Sequence, residues 1–466
     1  MSALWTAAEA AGATGGMNTA DWTTQGVSID SRSLLPGDLF VALKGPKFDG
    51  HEFVLAAFDK GAAAAMVSRQ MPDAAMPLLM VADTQTGLED LGRAARARTA
   101  AKIIGVTGSV GKTGTKEALR HALERQGPTH ASTGSLNNQW GVPLSLARMP
   151  RETAYGVFEM GMNHPGEIDA LTRLVRPDVA VITTVEPAHL GFFPSVEAIA
   201  DAKAEIFNGM EPRGCAVLNR DNPHFDRLAE RATAAGVGRI VDFGAQAAAA
   251  VHLIDCHLHA SASAVTASVQ GEIVDYCLAL PGRHWVMNSL AVLAAVKAAG
   301  GDVGTAAAAM ATLEPMAGRG LRRKIAAASG DALLIDESYN ASPASMRAAI
   351  AVLGAAQPER GGRRIAVLGD MLELGADAAN LHAELAGPLH DAGVDLVFTV
   401  GASMWALHEA LPTRRRGGHA ATATEIAETV ASRLRRGDVV MVKGSYGSRM
   451  RDVIARLSTA AEPARH

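Results

Sequence analysis

Apolar residues in this chain fall into short unbroken runs of strand length, most of them followed by stretches with helical spacing. From Lys102 the rhythm is strand, glycine-rich turn, helix. Residues 103–107 read as strand and 112–125 as helix. Further continuous runs lie at 155–159, 179–185 and 215–218, separated by helical segments such as 196–208. Strands that are apolar throughout, rather than alternately, are buried on both faces. They predict a parallel sheet covered by helices. The stretch 251–280 alternates polar and apolar residues with no helix between, and predicts a small antiparallel insert. An Ala-rich helix is expected over about 284–299. The C-terminal third repeats the rhythm, with strands at 332–335, 364–368, 396–400 and 439–442. Helices fit 345–353, 378–391, 423–434 and 450–457. Ahead of Lys102, strands at 38–43, 64–68 and 78–82 and helices at 54–60 and 87–100 predict a small mixed domain.

Composition narrows the class. The chain has 466 residues, 48% apolar and 20% charged, and so can bury real cores. That length fits about three domains of 150 residues each. The net charge is −4 and the longest basic run is Arg414-Arg415-Arg416, which speaks against a general nucleic-acid or membrane-surface binder. Cys215, Cys256 and Cys277 have no CxxC spacing, so neither a disulfide framework nor a structural zinc site is expected. The first 12 residues lack a basic-then-apolar leader, and no apolar run is long enough for a membrane span. A reducing cytoplasm is the expected location. Lysine is scarce, with 10 Lys against 34 Arg, so each lysine position bears asking about.

One motif carries chemistry on its own. Gly105-Val-Thr-Gly108-Ser109-Val110-Gly111-Lys112-Thr113-Gly114 follows a predicted strand and opens a predicted helix. Glycines let backbone N–H groups curve round phosphate oxygens, and the helix N-terminus adds partial positive charge. Gly108, Ser109, Val110, Gly111 and Gly114 form the cradle for ATP. Lys112 is expected on the β- and γ-phosphates and Thr113 on Mg²⁺. The spacing between the last two loop glycines is shorter than in the common form. The fold expected is therefore α/β in three domains: a small α+β domain at 1–100, a central P-loop-like parallel-sheet ATPase domain at 101–315, and a Rossmann-like domain at 316–466, linked near Pro315.

Other stretches extend this pattern in order. They are Asp30-Ser31-Arg32, Asn137-Asn138-Gln-Trp-Gly141, Glu159-Met-Gly161-Met-Asn163, Glu186-Pro-Ala-His189 and Ala202-Lys203-Ala-Glu205. Gly282-Arg-His284, Asn288, Gly318-Arg319-Gly320, Asp336-Glu-Ser-Tyr339-Asn340-Ala-Ser342-Pro343, Leu368-Gly369-Asp370-Met-x-Glu-Leu-Gly375 and Lys443-Gly444-Ser445 follow. With the shortened loop, they resemble the ATP-dependent Mur ligase and folylpolyglutamate synthetase superfamily over nearly the full length. The Ser-Tyr-Asn-Ala and Leu-Gly-Asp-Met motifs resemble the branch that adds D-alanyl-D-alanine to UDP-N-acetylmuramoyl-tripeptide.

The resemblance implies ATP, two Mg²⁺ ions and an acyl-phosphate route. It implies metal ligands at Thr113, Glu159, His189 and Lys203, the last as a CO₂-derived carbamate that turns a cation into an oxygen ligand. It places Asn288 near adenine, Arg319 on the phosphates and Asp336 on the ribose, with His284 orienting the nucleotide. Catalysis would fall to Lys112, Lys203, His189 and Arg319. Ser31 and Arg32 would grip the UDP end. Thr133, Asn137 and Asn138 would lie where substrate meets phosphate, and Tyr339, Asn340 and Ser342 would receive the dipeptide. A monomer without nucleic-acid or membrane partners is implied. On residues alone, His189 also reads as a loop histidine, Lys203 as a solvated helix position and Arg319 as one of a basic linker cluster. Two other functions stay open. One is a sister ligase, although a diaminopimelate adder would carry Asp-Asn-Pro-Arg in the third domain, where this chain has Asp221-Asn222-Pro223-His224 in the central one. The other is a P-loop ATP-binding switch.

Overall fold

The computed structural model describes residues 3–71, 76–187, 191–328 and 330–459. Three main sheets follow one another along the chain. The first has the strand order Met17–Asn18, Leu78–Met80, Ala64–Val67, Asp38–Val41, Gly26–Ser28, parallel except for Met17–Asn18. Every residue of Asp38–Val41 and Ala64–Val67 is buried, as the apolar character of all of them but Asp38 favours. The N-terminal unit is fastened to the central one. Trp5 Nε1 donates to the Ala147 carbonyl at 2.8 Å, and the Arg98 guanidinium lies 3.9 Å over the Trp5 ring.

The central sheet has nine strands. Their order is Glu272–Leu278, Ser263–Val269, Val251–Leu258, Arg239–Gly244, Cys215–Asn219, Val179–Ile182, Lys102–Thr107, Tyr155–Glu159, Thr129–Ala131. The antiparallel stretch expected as an insert is instead the sheet's continuation. Val251–Leu258 pairs parallel with Arg239–Gly244, and only then does the sheet turn antiparallel. Alternation along the chain reported one exposed face correctly but could not show which edge the hairpins join. The helix Arg283–Ala298 is buried over the whole run from Ser289 to Val296, because it lies between the sheet and its outer helices.

The third sheet runs Leu321–Ala327, Gly330–Glu337, Val439–Lys443, Arg364–Gly369, Leu396–Val400, Arg416–Ala420, parallel except for the first strand. The helix expected over 378–391 is two, Ala378–Ala383 and Ala386–Asp391. Pro388 accounts for the break: its ring excludes the carbonyl four residues back, at Glu384. The expected helix 196–208 likewise ends as α-helix at Ala204 and continues as a 3₁₀ turn, Glu205–Gly209. Among the described residues no helix is long and apolar enough to cross a membrane.

Candidate functional site

The strand Lys102–Thr107 lies between Val179–Ile182 and Tyr155–Glu159, so its C-terminal end opens where the chain crosses from one side to the other. Open α/β sheets hold ligands at such a point. The loop that follows is fixed from the next strand. Ser109 N donates to the Thr184 carbonyl at 2.8 Å, Ser109 Oγ to the Glu186 carbonyl at 3.0 Å, and Thr183 Oγ1 to the Val110 carbonyl at 2.6 Å. Gly108 has φ +146° and a Cβ there would collide with Thr183 Oγ1, so this position requires glycine. Gly111, at φ +87°, caps the helix Lys112–Leu123. Asn288 packs against Gly111, and Trp285 against Gly114. The helix Arg283–Ala298 therefore walls the loop.

A cleft of about 870 Å³ separates this loop from the third sheet. It gathers most of the residues singled out in the sequence. Ser109, Val110, Gly111, Lys112, Thr113, Gly114, Asn137, Asn138, Glu159 and Asn288 line one side, and Arg319, Tyr339, Asn340 and Ser342 the other. Lys112 Nζ donates to the Gly108 carbonyl at 2.7 Å. The enclosing protein lowers its pKa, Glu159 opposes this, and Arg319 adds to it.

Glu159 is 1% exposed at the end of its strand. One carboxylate oxygen, Oε1, accepts from Asn137 Nδ2 at 2.7 Å, while Oε2 is buried with no hydrogen-bond partner among the described residues. An unpaired buried carboxylate oxygen is costly, and it is the hard donor that Mg²⁺ prefers. Thr113, buried in the first turn of the loop helix, lines the same cleft and carries a hydroxyl. These residues fit a magnesium ion shared with nucleotide phosphates.

Lys203 is 2% exposed, not on a solvated helix face, and makes no hydrogen bond or ion pair among the described residues. Burial, and secondly the like charge of Lys112, hold its amine well below the usual lysine range. Such a shift enlarges the neutral, nucleophilic fraction of the amine.

The remaining positions divide. His189 lies outside the described residues. Thr133 is exposed on the loop leading to Asn137 and does not line the cleft. Ser31 and Arg32 stand in the N-terminal unit, away from the cleft, with Arg32 NH2 paired to Asp30 at 2.7 Å. Ser342 lines the cleft while its hydroxyl caps the helix Pro343–Ala355.

Asp336, expected on the ribose, does not line the cleft. Its oxygens accept from Gly318 N at 3.0 Å and from Ser338 N and Oγ at 3.1 and 2.6 Å. The next residue, Glu337, lines the cleft instead. Successive strand residues point to opposite faces, so only one of this acidic pair can reach the ligand side. Glu337 Oε2 lies 3.6 Å from Lys443 Nζ, which also donates to the Asn340 carbonyl at 2.9 Å. Burial raises the Glu337 pKa against the opposing charges of Lys443 and Arg319. Asp336 instead fixes the Gly318-Arg319-Gly320 loop, and the Arg319 guanidinium lies 4.1 Å over the Tyr339 ring.

His284 also borders the cleft. Burial, and secondly Lys443, lower its pKa from the usual 6.5 to about 4. The folded state thus binds this proton less readily than the unfolded one. Stability is fully present above pH 6.5 and is lost as pH falls towards 4. Full burial would make this about 3 kcal/mol, and the ring's partial exposure reduces it to about 2 kcal/mol. His284→Gln is expected to flatten that part of the stability profile. Thermal midpoints of both proteins at pH 7, 5.5 and 4.5 measure it; parallel profiles would remove His284 as the cause.

Three family models match consecutive parts of the chain: the Mur ligase family catalytic domain at 23–103, the Mur ligase middle domain at 106–296, and the Mur ligase glutamate ligase domain at 321–446. The UDP-N-acetylmuramoyl-tripeptide–D-alanyl-D-alanine ligase of Escherichia coli K12 is 35% identical, over 95% of this chain and 96% of that one. The enzyme of the same name from Bacillus subtilis 168 is 33% identical, over 93% of each. A crystal structure of MurF from Acinetobacter baumannii superposes with a TM-score of 0.84 at 31% identity, covering 97% of this chain and 98% of that one. MurF from Thermotoga maritima in complex with ADP gives 0.76 at 27% identity, covering 94% and 98%. With its loop, its buried carboxylate and its three sheets in that order, the chain belongs to the Mur ligase family, among the UDP-N-acetylmuramoyl-tripeptide–D-alanyl-D-alanine ligases.

Proposed function

We infer that the chain is a cytoplasmic, ATP-dependent amide ligase of peptidoglycan precursor synthesis, joining D-alanyl-D-alanine to UDP-N-acetylmuramoyl-tripeptide. The observation that carries this reading is the convergence on one cleft of the phosphate loop, the unpartnered oxygen of Glu159 and, from the third sheet, Arg319. Residues 1–100 would hold the UDP end through Ser31 and Arg32, 101–315 the ATP, and 316–466 the dipeptide.

In this reading the terminal carboxylate of the tripeptide attacks the γ-phosphorus of ATP, releasing ADP and leaving an acyl phosphate. The dipeptide amine then attacks the acyl carbon. The tetrahedral adduct loses its ammonium proton and expels phosphate, leaving the amide. Lys112 and the loop N–H groups hold the phosphates in line, and Arg319 meets the charge that develops on them. Thr113, Glu159, His189 and a carbamate on Lys203 would hold Mg²⁺, which when bound would neutralise phosphate charge. The amine of Lys203 is buried, has no partner among the described residues and has a lowered pKa, which supports carbamate formation, because only a neutral amine adds CO₂. Glu337 takes the ribose-side role that the sequence had given to Asp336. Tyr339 and Asn340 face the loop from the third sheet and receive the dipeptide. Closure of the two walls would exclude water from the acyl phosphate.

ADP release measured with each substrate omitted in turn tests this. Turnover is expected only with both UDP-tripeptide and D-alanyl-D-alanine present. Phosphate release that ignores both would favour an ATP-binding switch.

A further inference from the structure

Lys116 has no part in the chemistry above, yet its side chain is 0% exposed. It sits one turn beyond Lys112 on the loop helix, on the same face. Its ammonium donates to the carbonyls of Ser132 at 2.5 Å and Gly134 at 2.9 Å and pairs with Glu117 Oε1 at 2.6 Å. Three acceptors thus meet the three donors of one nitrogen.

The segment it holds is the one that grips Glu159. Ser132 Oγ accepts from Glu159 N at 3.2 Å, and Ser132 N donates to the Val157 carbonyl at 3.1 Å. A few residues on, Asn137 Nδ2 donates to Glu159 Oε1 at 2.7 Å, and the Asn137 carbonyl accepts from Gly161 N at 2.8 Å. One ammonium therefore ties the helix that starts with Lys112 and Thr113 to the loop that orients the buried carboxylate.

We propose that Lys116 is a positioning residue: it sets the register between Thr113 and Glu159, and so the contribution of Mg²⁺ to nucleotide binding. The proposal rests on the reading of Glu159 as a metal carboxylate. Arginine cannot substitute. Its planar fork spreads its donors outward, whereas these acceptors converge on a single atom in a closed space.

The test is calorimetric titration of the full chain with ADP, with Mg²⁺ and with EDTA, alongside thermal melting. In Lys116→Met and Lys116→Arg, ADP affinity in EDTA is expected to stay within about twofold of the parent, while the gain on adding Mg²⁺ falls about tenfold, as for residues that orient metal ligands. Ser132→Ala, which removes the hydroxyl on Glu159 N, is expected to shift the same quantity less. It carries the test if the lysine variants do not fold. An unchanged Mg²⁺ gain in the folded variants, even with lower melting temperatures, overturns the proposal by making Lys116 structural only. A parent protein whose ADP affinity ignores Mg²⁺ overturns the metal reading, and this proposal with it.

Discussion

Lys203→Ala is expected to lose amide-forming turnover by about 10³-fold or more and to regain part of it when formate or acetate is added. The unmodified ammonium would repel a cation, and the methyl group of alanine offers no oxygen. A small carboxylate entering the space left by the side chain would supply an oxygen in the carbamate's place. The fold should tolerate the change, because Lys203 makes no hydrogen bond or ion pair among the described residues. Removing this buried amine orphans no partner among the described residues, so the melting temperature should hold or rise. Turnover against carboxylate concentration, with a melt of each protein, checks both halves. Full activity of Lys203→Ala without added carboxylate would sink the carbamate. Lys203→Arg should be as inactive, because a guanidinium forms no carbamate at neutral pH, and formate should not rescue a site that arginine fills.

The second large effect is expected at Lys112. Lys112→Met should lower kcat by about 10³-fold, with no rescue by carboxylates. The point charge that meets the transferring phosphoryl group is lost. A further consequence follows from the electrostatics. The charge of Lys112 helps to hold the Lys203 amine down, so its removal lets that amine rise towards the usual lysine range. The neutral fraction then shrinks and CO₂ addition weakens. The pH profile of Lys112→Met should therefore show more residual activity at alkaline pH relative to neutral than the parent does. Single-turnover ADP formation from pH 7 to 9, with bicarbonate supplied, reads this. A profile parallel to the parent's would show that the two lysines act independently.

Much of the fold was legible because buried parallel strands are continuous apolar words. Tyr155–Glu159 and Leu396–Val400 have the bounds expected from sequence. The strands that escaped notice are mostly edges. Thr129–Ala131 and Arg416–Ala420 close their sheets with half-buried, partly polar residues, so nothing apolar marks them. The helix Ala7–Thr14 went unread although Thr6 and Glu9 form a capping box, a signal the chain does carry. At the site, the phosphate loop was legible as spacing. Of the acidic pair, Glu337 rather than Asp336 lines the cleft, and a sequence motif does not state which neighbour faces it. Lys203 was the harder case, since local composition describes a surface helix. The family motif around it and the scarcity of lysine hinted that its position mattered, and packing shows it buried, with no partner among the described residues.

Arg319 is tethered to the third sheet. Asp336 holds the backbone of the loop that carries it, and Tyr339 supports its guanidinium from beneath. The positive charge thus belongs to one wall of the cleft, while in the proposed mechanism the other would cradle the phosphates. Distance between the walls becomes a throttle on phosphoryl transfer. Under the proposed mechanism, ATP seated on the loop with the walls apart would lack its last counter-charge and so be protected from idle hydrolysis. A ligand that draws the third sheet inward delivers that charge, so arrival of one substrate can license consumption of another.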